Sequence, residues 1–148
     1  MRFIQMFTGI TVSFVLAACA AVQGYEGAAL SNSETALITA KSDQGLRISV
    51  GVPAPGTGTT HNLRILPGYS CVNVEARRMG RPAPTAPGGA ANLASGRLEK
   101  FELCFEANAG RTYEVKVLQQ IGGREGRIVA ARIEDAETGE ILDGQEAI

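Results

Sequence analysis

The sequence predicts an all-β protein, a small antiparallel β-sandwich of seven or eight short strands. Three observations lead there. Apolar and polar residues alternate in short runs, turn residues separate the runs, and no stretch keeps a 3.6-residue apolar period over three turns. Composition agrees: 18 glycines, no Trp and 5% aromatic residues among 148 suit many turns around a modest core.

Taken in order, residues 35–41 (TALITAK) read as the first strand, closed by Ser42, Asp43, Gln44 and Gly45. Residues 46–52 (LRISVGV) alternate, with Leu46, Ile48, Val50 and Val52 on one face. A Pro/Gly/Thr loop at 53–60 leads to 61–66 (HNLRIL), and then Pro67 and Gly68 turn the chain. The Pro presets φ and the Gly accepts a positive φ. Residues 69–75 (YSCVNVE) form the next strand. Residues 77–95 are dense in Pro, Gly and Ala without periodicity, so they read as a long loop. Residues 98–107 and 112–120 look like the clearest hairpin, turned by Asn108, Ala109 and Gly110. Phe101, Leu103 and Phe105 share one face of its first arm, and Tyr113, Val115 and Val117 share one face of its second. After a turn at 122–126, a strand at 127–133 and a short one at Ile141 and Leu142 complete the set.

The N-terminus carries an address. Arg2 precedes an apolar run over 3–15, and Leu16, Ala17, Ala18 and Cys19 follow it. The run is too short for a spanning helix, which needs about 20 apolar residues. These residues resemble the signal peptide and lipobox of a bacterial lipoprotein. The resemblance makes 1–18 a cleaved signal and Cys19 the lipid-bearing first residue of the mature chain; an ordinary secretory signal is the alternative. Ala20, rather than Asp, follows the Cys. By the same resemblance this sends the protein to the outer membrane, lipid-anchored on its periplasmic face. Residues 19–34 are small and polar and read as the lipidated Cys with a flexible tether, spanning roughly 20 Å root-mean-square. Residues 35–148 are then one domain of ordinary size.

A net charge of −1 implies no nucleic-acid partner. Cys71 and Cys104 lie in an exported chain, where disulfides form. Parity puts both on the more polar side of their strands. If the strands are neighbours, a bridge between them would contribute about 3–4 kcal/mol; the alternative is two unpaired thiols. No CxxC or His partner supports a metal or redox role.

Residues 66–74 (LPGYSCVNV) resemble a Pro-Gly strand stretch of PEGA-like, Ig-like domains found in uncharacterised proteobacterial lipoproteins. Segments 105–113 (FEANAGRTY) and 133–140 (IEDAETGE) follow in the order seen there. The resemblance implies a β-sandwich and brings no activity. Ser70 or Cys71 stands where those proteins often have His, so no chemistry carries over.

Candidate chemistry is sparse. His61, the single histidine, sits at a loop–strand boundary and reads as solvent-exposed. Arg77, Arg78, Arg81 and Arg97 bracket the long loop with no acid between the first and last. They suggest an anion-facing loop, against the simpler account of a solvated one. Residues 134–146 carry six acids and no base, read as a solvated edge. No nucleophile, acid and base cluster, so the expectation is no enzyme and no cofactor beyond the lipid on Cys19. The function expected is a structural or protein-interaction module, partnered by the membrane through its anchor and by an envelope protein or the cell wall. A ligand-, glycan- or peptidoglycan-binding lipoprotein is the alternative.

Overall fold

The computed structural model describes residues 21–42, 45–79, 96–120 and 127–147. The signal segment, Cys19, Arg81 and the turn at 122–126 lie outside them. Nine strands form the described fold: β1 Val22–Gln23, β2 Ala36–Ala40, β3 Leu46–Gly51, β4 Asn62–Ile65, β5 Gly68–Arg78, β6 Leu98–Ala107, β7 Thr112–Gln120, β8 Arg127–Asp135 and β9 Ile141–Glu146. They make two sheets, one ordered β1-β4-β2-β7-β8-β9 and the other β3-β5-β6. The all-β sandwich therefore stands, with nine described strands in place of seven or eight and with β1–β4 and β2–β7 parallel where an antiparallel set was expected.

Alternation decides which side of each strand is buried. Ile38, Val50, Val72, Val74, Leu103, Tyr113, Val115 and Ile133 are all at most 1% exposed and fill the space between the sheets. Phe101, Leu103, Phe105, Tyr113 and Val115 face inward as their parity requires. Tyr113 brings a hydroxyl into this core, and the Asn108 N–H donates to it at 2.8 Å. The turn between β6 and β7 is thereby held from beneath. Gly68 ends the β4–β5 turn with φ of 115°, a conformation that side chains with a Cβ rarely adopt.

Two further expectations need correction. Residues 98–120 do not form a hairpin: β6 pairs with β5, whereas β7 pairs with β2 and β8. The Asn108–Gly110 region carries the chain from one sheet to the other. The reason lies in the side chains, since Phe105 and Tyr113 meet edge-on across the core with centroids 4.9 Å apart. A hairpin and a sheet-to-sheet arch share the same alternation, and burying both aromatic faces against each other selects the arch.

The second correction concerns residues 21–34, the described part of the expected tether at 19–34. In place of a free tether, β1 runs parallel to β4 with Val22 opposite Leu63 and Gln23 opposite Arg64. The Gly24 N–H donates to the Arg64 carbonyl at 2.8 Å. A Cβ at Gly24 would lie 2.9 Å from both Leu63 Cδ1 and Val52 Cγ1, so only glycine lets the chain pass this closely. Further on, Gln23 Nε2 donates to the carbonyls of Tyr25 and Gly27, and Ser31 donates through N and Oγ to Glu34. Those Ser31 bonds, the hydroxyl first, lower the Glu34 pKa. β1 covers the outer edge of β4, which would otherwise present unpaired backbone groups.

The sheets also meet along their flanks. Val50 and Thr60 exchange two backbone hydrogen bonds of 2.7 Å on the β3–β4 side. On the β6–β9 side the link is made by side chains. The Cys104 N–H donates to Asp143 Oδ2 at 2.6 Å and the Glu102 N–H to Gln145 Oε1 at 2.9 Å.

Candidate functional site

Cys71 and Cys104 stand directly opposite each other on β5 and β6 and are joined in a disulfide, with Cα atoms 4.0 Å apart. The Cys104 N–H points away from β5 to Asp143, so the pair occupies a non-hydrogen-bonded position, where opposing Cα atoms come closest. The bridge lies half-buried on the outward face of the three-stranded sheet, among Tyr69, Asn73, Glu102 and Glu106. Cys71, Glu102 and Cys104 bring ligand-type atoms within 4.8 Å of one another. A metal would take the thiolate form of these cysteines, and both sulfurs are already bonded to each other.

The arginines are brought together only in part. Arg77 and Arg78 end β5, and Arg47 on β3 pairs directly opposite Arg77, a neighbour that loop spacing could not reveal. Arg97 lies 3.4 Å from Glu99, which offsets its charge. Arg81 is not among the described residues. His61 is exposed, and its carbonyl accepts the Ala40 N–H at 2.8 Å.

The acids of 134–146 are not a uniform solvated edge, which corrects that expectation. Glu134 and Asp135 are each only 6% exposed. Asp135 Oδ2 accepts from Arg111 Nε at 3.0 Å and Nη2 at 2.7 Å, while Oδ1 accepts the N–H groups of Glu137 and Thr138. These bonds, the Thr138 N–H foremost, hold the Asp135 pKa down at about 2. Arg111 also bonds Glu137. One strand over, Lys116 Nζ lies 2.8 Å from Glu134 Oε2 and lowers that carboxyl's pKa. Arg132 Nε stands 2.6 Å from Oε1 as an ion pair without hydrogen-bond alignment. Period-2 alternation cannot foresee a buried acid with a cross-strand cation, although Lys116 beside Arg132 on facing strands was the available signal.

One concave feature among the described residues is a cleft of about 460 Å³ between the start of β3 and the second half of β7. It exists because β2 stops at Ala40, opposite Val115, whereas β7 runs on to Gln120. Residues 116–120 therefore outrun their neighbour on that side. Leu46, Ile48, Val115 and Val117 wall the cleft, with Lys41, Glu114 and Lys116 at its rim. Lys41 Nζ lies 3.5 Å from Glu114, and Lys116 is bound to Glu134. Both rim lysines are thus already paired with an acid. Sequence reasoning missed this cleft, because it arises from a mismatch in strand length rather than from a motif.

The chain matches no family model, no curated protein and no solved structure.

Proposed function

We propose that this chain is a lipid-anchored envelope protein whose sandwich is a non-enzymatic structural or protein-interaction module facing the periplasm. The observation that carries the reading is the run Leu16, Ala17, Ala18 and Cys19 after a short apolar segment. Two or more acyl chains on Cys19 would hold the protein stably on a bilayer, at about 0.8 kcal/mol for each buried methylene. Ala20 favours the periplasmic face of the outer membrane, by resemblance to lipoproteins. A module that binds rather than reacts is supported by the pairing of its ionisable groups. Asp135 with Arg111 and Glu134 with Lys116 serve each other rather than the cleft.

The apolar walls of the cleft favour a second reading, a lipoprotein that binds a ligand, glycan or peptidoglycan fragment there. Titration with muropeptides, followed by chemical shifts of Val115 and Val117, separates the two readings. Movement of those signals supports the second.

Membrane flotation tests the anchor. The native chain should rise with outer-membrane vesicles, and the Cys19→Ala chain should stay in the soluble fraction. A Cys19→Ala chain that floats equally well would contradict the proposal.

A further inference from the structure

Anchoring at Cys19 would do more than tether this domain, because the fold begins only three residues later. Cys19 and Val22 are joined by three Cα–Cα steps, so their Cα atoms lie at most about 11 Å apart. Val22 is already paired with Leu63 at the outer edge of the six-stranded sheet. The acyl chains would therefore enter the bilayer beside one particular edge of the molecule.

The sheet register says which parts lie near that point and which lie far from it. Val22, Leu63, Ile38, Tyr113 and Asp135 form one continuous row across five strands. Four strand spacings put Asp135 about 19 Å from Val22. Upstream of Val22 the chain heads toward the Asn62 end of parallel β4, next to His61 and the exposed loop at 53–59. Val52 is close enough to touch a side chain placed at Gly24, which puts the start of that loop against β1. Downstream of Asp135 the chain heads the opposite way, since the Ala136 N–H donates to the Thr112 carbonyl and Thr112 pairs with Leu37. The turn after β8 is therefore diagonally opposite the anchor.

Charge follows the same diagonal. Residues 52–66, which supply β4 and the exposed loop before it, contain His61 and Arg64 and no acid, while the chain after β1 adds Glu26 and, held by Ser31, Glu34. At the far edge Glu137, Glu140 and Glu146 are exposed and Asp143 half-buried, whereas Glu134 and Asp135 are buried against Lys116 and Arg111. An anionic surface therefore repels the far edge more strongly than the loop at 53–61, over a screening length of about 8–10 Å.

We infer that the β1–β4 edge with the loop at 53–61 is a membrane-facing surface, seated on the phosphate headgroups of the bilayer that holds the anchor. The turn between β8 and β9 and the acidic β9 edge then face the periplasm. This rests on the lipid-anchored reading and deepens it, because a domain seated this way has one orientation and not a tumbling average.

The test uses the full lipidated chain, reconstituted in phosphatidylethanolamine–phosphatidylglycerol vesicles doped with a headgroup-region nitroxide lipid. A fluorophore is attached at Thr59→Cys or at Glu140→Cys, both exposed positions, with the native disulfide left intact. Quenching should be severalfold stronger at 59 than at 140. A second pair, Pro55→Cys against Thr138→Cys, repeats the comparison should one variant misfold. Equal quenching at both positions in chains that float with the vesicles would overturn the orientation and leave the anchor standing. Chains that fail to float would overturn the anchor and the orientation with it.

Discussion

Asp135 accepts four hydrogen bonds from a buried position. It receives both nitrogens of one Arg111 edge and two backbone N–H groups, and it does so with almost no exposure. Its folded-state pKa of about 2 lies below the ordinary carboxylate value, so its stabilisation is fully present above roughly pH 4. That stabilisation is lost as the pH falls from about 4 toward 2. Glu134 is shifted in the same direction by Lys116 and adds acid lability of the same sign. Circular dichroism during acid titration should show unfolding start at a higher pH in Arg111→Met than in the native chain. An unchanged titration would mean that the arginine contributes nothing to holding the charge. Apolar burial gives a second expectation at this scale. Leu103 is fully buried, so Leu103→Ala should cost about 2–5 kcal/mol in urea unfolding. Leu118 is 39% exposed, and Leu118→Ala should stay within about 0.5 kcal/mol.

At the level of elements, the disulfide joins β5 to β6 across a sequence separation of 33 residues. Closing a loop of that length restricts the unfolded chain by about 3–4 kcal/mol in the chain-entropy account. The double variant Cys71→Ala with Cys104→Ala should lose stability of that order in urea unfolding, and the native, unreduced protein should show no reactive thiol at either position. Most strands were legible because their inward residues alternate without interruption, as Leu46, Ile48 and Val50 do on β3 and Phe101, Leu103 and Phe105 on β6. Three features were not. Two-residue β1 is too short to carry a period, and it is specified by the open edge of β4 and the missing side chain of Gly24. The arch between β6 and β7 has the alternation of a hairpin, and only the packing of Phe105 on Tyr113 distinguishes them. The last strand was read as Ile141 and Leu142 alone, because Asp143, Gly144 and Gln145 disfavour strands in isolation. Pairing with β8 carries that strand on to Glu146, and the Asp143 and Gln145 side chains cap the β6 edge. As for the candidate site, the two cysteines were legible from parity, whereas the cleft was not, since it depends on where β2 ends relative to β7.

For the whole molecule, the fold is a closed-flanked sandwich with its charge distributed unevenly from one sheet edge to the other. Among the described residues, the second half of β7 and the cleft beside it offer one place where backbone and apolar surface are open to another molecule. The central claim is that this sandwich is carried by a lipid on Cys19, and the mass of the mature N-terminal peptide tests it most directly. Purified from the envelope of a diderm host, that peptide should begin at Cys19 and carry the added mass of its acyl chains. A peptide that retains residues 1–18, or that begins at an unmodified Cys19, would contradict the account.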